Sequence, residues 1–120
     1  MSIFKRGSKK GVEELEPKEA FTEIEKHRDN PDFVVLDVRT PEEYQKEHLE
    51  NAKLIDVKSS DFEDKIEKLD KDKEYFIYCK AGVRGCKACE LMQKHGFEKV
   101  INIAGGIDKW KSKRLPVTSD

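Results

Sequence analysis

Residues 75–92 read YFIYCKAGVRGCKACELM, and this stretch guides the interpretation of the rest of the chain. Its first residues form an apolar run typical of a buried strand. From Arg84 onward, small and apolar residues recur at helical spacing. Cys79 therefore stands where a strand gives way to a loop and then to a helix. A thiol in this position indicates a chemical role, because a thiol that only fills space is expected inside the run or on a helix face.

The same alternation of strand and helix runs along the whole chain. In parallel sheets flanked by helices, ligands bind beyond the carboxyl ends of the strands, which is where Cys79 is expected. The pattern predicts an α/β fold with a mostly parallel five-stranded sheet and helices on both faces. The predicted strands are residues 12–15, 33–38, 52–57, 75–79 and 99–103, and the predicted helices are residues 17–28, 40–48, 61–69, 84–97 and 105–111.

The helix at residues 40–48 carries a well-defined start signal. Thr40 is the predicted N-cap, Pro41 occupies the first helical position, and Glu43 follows three residues after the cap. This spacing predicts a capping box, in which the Thr40 and Glu43 side chains each bond the other residue's backbone N–H.

Composition limits the classes of function. The chain has 120 residues, of which 41% are charged, and a net charge of -1 with both signs interspersed. We expect one domain over residues 12–120 behind a flexible, basic N-terminal tail over residues 1–11. No broad basic face for nucleic acid and no apolar stretch of the length of a signal peptide or a membrane span is evident. With three cysteines and no export signal, the sequence predicts thiols in the reducing cytoplasm.

The loop after Cys79 contains the elements of a small anion cradle. Gly82 can adopt positive φ and so turn successive backbone N–H groups inward. The helix that follows directs its N-terminal partial positive charge to the same place. Lys80 and Arg84 add full positive charges, and the planar guanidinium of Arg84 suits an oxyanion. Since the thiolate is the reactive form of cysteine, these groups predict a nucleophilic Cys79.

Several motifs in a fixed order resemble those of single-domain rhodaneses. CKAGVRG is preceded by LDVRTPEEYQKEHLENA and followed by INIAGGIDKW and LPV, so that the resemblance spans about residues 12–117. In that family, the matching cysteine takes a sulfane sulfur from a donor such as thiosulfate and becomes a persulfide. It then passes the sulfur to a thiophilic acceptor such as cyanide or a protein thiol.

The resemblance implies a role for each residue of the loop. Cys79 would carry the sulfur, and the outer sulfur would be held by a cradle made of Lys80, Ala81, Gly82, Val83 and Arg84. Asp37, Arg39 and Gly85 would support the site. The implied partners are a small sulfur donor, thiosulfate or a persulfide, and a thiol, cyanide or protein acceptor, with no cofactor and no metal.

The sequence departs from the family pattern at two positions. Gly85 replaces a common serine, and we expect the loss of its hydroxyl to loosen the cradle. Asn51 replaces a common glycine, and because asparagine tolerates the left-handed region we expect the turn to survive.

Two alternative functions and one open question remain at this stage. Related phosphatases place five residues between cysteine and arginine, whereas four separate Cys79 from Arg84, which favours a ring sized for sulfur. A noncatalytic interaction module would usually have lost the cysteine. Cys86 and Cys89 form a CxxC motif that is compatible with a redox pair or a zinc half-site, but helical spacing favours packing against the sheet.

Overall fold

A computed structural model describes residues 7–9 and 11–120 of the chain. The strands are β1 (Gly7–Lys9), β2 (Val12–Leu15), β3 (Phe33–Asp37), β4 (Lys53–Leu54), β5 (Glu74–Tyr78) and β6 (Val100–Ile103). The helices are α1 (Pro17–Lys26), α2 (Pro41–Lys46), α3 (Phe62–Glu67), α4 (Val83–Lys94) and α5 (Gly106–Ser112).

The strands of the described residues form a single sheet in the order β1-β2-β6-β5-β3-β4. The five strands β2, β6, β5, β3 and β4 are parallel to one another. Each of the five predicted strands is present, although β4 covers only two residues of the predicted 52–57. The prediction of an α/β fold with a mostly parallel sheet is confirmed.

In the flexible tail predicted over residues 1–11, Gly7–Lys9 have regular structure. These residues form β1, which pairs antiparallel with β2. The reversal passes through Gly11 at φ 79°, a left-handed conformation that glycine adopts readily. Pairing with β1 satisfies backbone groups of β2 that would otherwise face an open sheet edge. The remaining tail positions, residues 1–6 and 10, lie outside the described residues.

The sheet separates two apolar cores. On one face, α3 and α4 pack against the sheet through side chains such as Phe62, Ile66 and Met92. On the other face, α1 and α5 pack through Ala20, Ile107 and Trp110 among others. Burying both faces explains why β3 and β5 are nearly continuous apolar runs. No helix in the described part of the chain is long and apolar enough to cross a membrane.

Strand register brings the functional loops to one edge of the sheet. Asp37, the last residue of β3, lies opposite Tyr78, the last residue of β5, so the segments that follow both strands start side by side. Helix α2 begins as predicted, because the Thr40 hydroxyl accepts from the Glu43 N–H and the Glu43 carboxylate accepts from the Thr40 N–H. This arrangement carries Glu43 toward the loop that follows Cys79.

Candidate active site

Cys79 lies directly after β5, at the carboxyl edge of the sheet, and is 1% exposed. The chain then turns within three residues, and the Gly82 N–H donates to Cys79 Sγ with 3.0 Å between the nitrogen and the sulfur. Gly82 has φ 108°, in the left-handed region, as predicted from its place in the loop. The next residue begins α4, so the sulfur lies near a helix N-terminus and accepts a backbone hydrogen bond.

The loop is fastened to the start of α5. The carbonyl oxygens of Cys79 and Lys80 accept from the N–H groups of Ile107 and Asp108 at 2.8 and 3.0 Å. In a trans peptide the N–H points opposite to the C=O, so the N–H groups of Lys80 and Ala81 point away from α5. Helix α5 therefore sets the direction of the donors that the cradle needs.

Gly106 permits this close contact between α5 and the loop. A Cβ at Gly106 would lie 2.4 Å from the carbonyl oxygens of both Cys79 and Lys80. Gly106 also has φ 61°, a conformation that strains most other residues. Both constraints require glycine here.

Arg84 forms an ion pair with Glu43 and is only partly exposed. Arg84 Nη1 and Nη2 donate to Glu43 Oε1 and Oε2 at 2.7 and 2.9 Å, so the pair is bidentate. The hydrogen bonds from Arg84, with help from Thr40, lower the pKa of Glu43 to about 2, although burial acts in the opposite direction. Glu43 in turn raises the pKa of Arg84. The two hydrogen bonds fix the orientation of the guanidinium.

The remaining cradle residues point outward. Lys80 Nζ donates to Asp108 Oδ2 at 2.8 Å, and both side chains are largely exposed. Ala81 is exposed, and the Val83 side chain is 73% exposed. In this loop the backbone rather than these side chains faces Cys79.

Asp37 and Arg39 form a buried brace behind the site. Arg39 is 4% exposed, Asp37 is fully buried, and their side chains are joined by a hydrogen bond of 2.8 Å from Nη2 to Oδ2. The Tyr78 hydroxyl donates to the same carboxylate at 2.6 Å. Burial, followed by the charge of Asp37, raises the pKa of Tyr78 far above its ordinary value. The brace ties the end of β3 to the residue that precedes Cys79.

Gly85 lies in the first turn of α4 and contacts Asn102 of β6. A Cβ at Gly85 would lie 2.2 Å from Asn102 Oδ1, so the packing leaves no room for a larger residue in this arrangement. Asn102 is fully buried, and its Nδ2 donates to the Gly82 carbonyl at 3.1 Å and to Glu14 Oε2 at 3.0 Å. Glycine in place of the common serine at residue 85 thus allows α4 to lie close to β6. The loop gains a hydrogen bond from the Asn102 side-chain amide to the Gly82 carbonyl.

Cys86 and Cys89 belong to the packed face of α4. Both are buried thiols in the same apolar cluster as Cys79. Burial raises the pKa of Cys89 well above its ordinary value and keeps this thiol protonated. Within residues 7–9 and 11–120, no group of three or more His, Cys, Asp or Glu side chains is placed to hold a metal ion. The geometry favours the packing interpretation of the CxxC motif.

No histidine in the described chain forms a hydrogen bond with Cys79. His48 bonds the Tyr44 carbonyl, His95 bonds Glu63 and Glu67, and His27 stacks on Phe33. A Cys-His pair is therefore not part of this site.

Three residues around the loop make contacts that the sequence does not predict. The sequence indicates Glu43 only as part of a helix cap, although Glu43 also orients Arg84. Asp108 and Asn102 carry no predicted role, but Asn102 is the polar residue within the buried run VINI, and this is a signal that could identify it. Asn51, in contrast, adopts φ 64° as expected for a residue that replaces glycine in a turn.

Comparison with known proteins gives consistent matches. The model of the rhodanese-like domain family matches residues 20–113. A thiosulfate sulfurtransferase, GlpE, of Coxiella burnetii is 31% identical over 81 residues, which are 68% of this chain and 74% of that protein. A tRNA uridine(34) hydroxylase of Cytophaga hutchinsonii is 38% identical over 106 residues, and the match covers 86% of this chain but 33% of that longer protein.

The fold is shared with a solved structure. The crystal structure of a rhodanese-related protein from Thermoplasma volcanium matches with a TM-score of 0.77 and 26% identity, covering 89% of this chain and 98% of that one. The family model spans most of the chain, including the Cys79 loop, both strands beside it and the start of α5. The chain therefore belongs to the rhodanese-like domain family.

Proposed function

We propose that this protein is a sulfurtransferase that moves a sulfane sulfur from thiosulfate or a persulfide donor to a thiol or cyanide acceptor through Cys79. The observation that carries the proposal is the hydrogen bond from the Gly82 N–H to Cys79 Sγ, within a loop fastened to α5. A backbone donor aimed at the sulfur stabilises negative charge there, in the nucleophile and in the persulfide that follows it.

The reaction has two transfers, in which electrons balance without an external oxidant. The Cys79 thiolate attacks the outer sulfur of thiosulfate, the S–S bond of the donor breaks, and sulfite leaves with the electron pair. Cys79 then carries a persulfide. An acceptor thiolate or cyanide attacks the outer sulfur, and the Cys79 thiolate leaves with the electrons of the persulfide bond.

The family name and the named activity of the Coxiella burnetii relative support this proposal. The four-residue spacing between Cys79 and Arg84 supports it over the phosphatase alternative, because a phosphoryl group needs a wider ring of donors. The retained thiol also favours an active enzyme over a noncatalytic module.

Steady-state thiocyanate formation from thiosulfate and cyanide tests the proposal. We expect Cys79→Ser to abolish turnover, since a hydroxyl at neutral pH is a poor nucleophile. Cys89→Ala is the matched control, because it removes a buried thiol from the same apolar cluster without touching the loop. Turnover that survives in Cys79→Ser, or is lost equally in Cys89→Ala, would contradict the role of Cys79.

A further inference from the structure

We propose that Asn102 is a positioning residue for Cys79, acting through Gly82. The Asn102 side-chain amide donates a hydrogen bond to the Gly82 carbonyl, and the Gly82 N–H donates to Cys79 Sγ. This role deepens the proposed function. Only one of its tests, the rate of persulfide formation, rests on that function.

The contacts of Asn102 define which end of its amide faces the loop. Gly82 O and Glu14 Oε2 are both acceptors, so the nitrogen must face them and the oxygen must point elsewhere. Glu14 lies opposite Asn102 in the register of β2 and β6, which fixes the second bond through strand pairing. Asn102 thus links the sheet directly to the loop.

The other end of the amide shows that packing alone does not explain this residue. Asn102 Oδ1 is buried and has no hydrogen-bond partner among the residues that the structure describes. A buried acceptor without a partner is unfavourable, and an apolar side chain of similar size would avoid it. The side chain nevertheless uses both of its donors, and one of them anchors the cradle.

Gly82 needs such an anchor because glycine restricts its own φ and ψ weakly. On one side of Gly82, the Lys80 carbonyl is held by the Asp108 N–H. On the other side, the Gly82 carbonyl accepts from the Cys86 N–H and from Asn102 Nδ2. These bonds hold the Lys80–Ala81 and Gly82–Val83 peptides, which lie on either side of the Ala81–Gly82 peptide and so restrict the direction of the Gly82 N–H.

Gly85 is the counterpart of Asn102 in α4. A Cβ at Gly85 would overlap Asn102 Oδ1 and push the amide away from the Gly82 carbonyl. Gly85 and Asn102 are therefore predicted to act on Cys79 through one shared contact, and their substitutions should not be additive.

The test uses Asn102→Leu, which keeps the branched heavy-atom shape but is bulkier and has no donors, and Asn102→Ala, which is smaller and leaves space. Gly85→Ala and the double variant Asn102→Ala, Gly85→Ala test the shared contact. Ile103→Val is the control. It removes one methyl group from a fully buried neighbour on the same strand, whose side chain packs in the core on the other face of the sheet.

Three rates are measured on each variant that shows a cooperative thermal transition. The first is the rate of alkylation of Cys79 by iodoacetamide, which peptide mapping assigns to this residue. The second is the rate of persulfide formation on mixing with thiosulfate. The third is the rate of hydrogen exchange of the Gly82 amide, measured by NMR. Alkylation and exchange do not depend on sulfur transfer, so they test Asn102 even if the proposed function fails.

We expect both Asn102 variants to slow alkylation and persulfide formation by about tenfold or more, as for a displaced anion-hole donor. The Gly82 amide should exchange faster by about the same factor while the amides of β5 and β6 do not, because the loop alone is released. Ile103→Val should stay within about twofold of the wild type, and Gly85→Ala should slow alkylation in the wild-type background but not in the Asn102→Ala background.

The proposal is overturned if the Asn102 variants react with iodoacetamide as fast as Ile103→Val does. It is also overturned if Gly82 exchange rises only in step with the β5 and β6 amides, which indicates general destabilisation. A wild type that gains no sulfur from thiosulfate, while alkylation and exchange follow the expected pattern, would remove the proposed function and leave the positioning role supported.

Discussion

At the residue scale, the environment of Cys79 combines a backbone donor with a guanidinium that is already engaged. The Gly82 N–H reaches the sulfur directly, whereas Arg84 makes its two hydrogen bonds to Glu43. The sequence predicts that the planar guanidinium of Arg84 suits an oxyanion, which for thiosulfate is its sulfonate end. Arg84 Nη1 and Nη2 each donate to Glu43, so a bound sulfonate would share the guanidinium with this carboxylate.

We predict that Arg84→Ala weakens use of thiosulfate more than use of an uncharged persulfide donor. The sulfonate end of thiosulfate gains from a nearby guanidinium through charge-assisted hydrogen bonds worth roughly 1.5–3 kcal/mol, and an uncharged donor does not. The measurement is kcat/KM for both donors, with Arg84→Lys as the variant that keeps charge but loses the planar fork. Equal losses with both donors would assign Arg84 a purely structural role.

We also predict a pH-dependent contribution of Glu43 to stability. Its pKa is about 2 in the folded protein, below the ordinary value of 4.5 that it regains on unfolding. A lowered pKa means that the stabilisation is fully present above pH 4.5 and is lost as the pH falls toward 2. At neutral pH it is on the order of 2–3 kcal/mol.

Urea unfolding of the wild type and Glu43→Gln at several pH values measures this effect. The difference in unfolding free energy should be largest at neutral pH and shrink steadily below pH 4.5. A difference that stays constant down to pH 3 would show that the ion pair does not contribute to stability.

At the scale of elements, hydrogen bonds from the start of α5 hold the Cys79 loop in place. Two α5 amides donate to consecutive carbonyls of the loop, and Gly106 allows the approach. We predict that Gly106→Ala displaces the loop and lowers sulfur transfer by about tenfold or more, because the loop donors no longer converge on the sulfur.

Gly11→Ala is the matched control for Gly106→Ala. Gly11 also has positive φ, at 79°, but a Cβ there would meet nothing within 4 Å. Both variants incur backbone strain of roughly 1–3 kcal/mol, whereas Gly106→Ala alone adds a clash at the loop. Urea unfolding should therefore show reduced stability in both variants. The rate of persulfide formation should fall in Gly106→Ala but not in Gly11→Ala. Equal rates in the two variants would contradict the coupling.

At the scale of the whole molecule, the sequence predicts the sheet and the position of Cys79 after a strand more fully than the contacts that hold its loop. The buried runs that became β3 and β5 and the capping box at Thr40 are local signals, so they could be recognised from neighbouring residues. β1 was missed because its pairing with β2 depends on a hairpin within a polar, basic segment. A three-residue strand carries little pattern of its own.

The sequence predicts Asp37, Arg39 and Gly85 as support for the site, but the contacts of Glu43 and Asn102 could not be predicted because they join residues that are distant in the chain. Glu43 meets Arg84 across 41 positions, and Asn102 meets Glu14 across 88. Such contacts depend on strand order, which places β6 between β2 and β5. An asparagine within an apolar run signals an unusual position, but its partners become apparent only once the strands are paired.

In the mechanism that we propose, Cys79 alone carries the transferred sulfur. Intact-mass measurement of the protein after incubation with thiosulfate, followed by peptide mapping, tests this claim. We predict a gain of one sulfur atom on Cys79, reversed by a thiol reductant and absent in Cys79→Ser. No gain in the wild type, or a gain that persists in Cys79→Ser on Cys86 or Cys89, would contradict the claim.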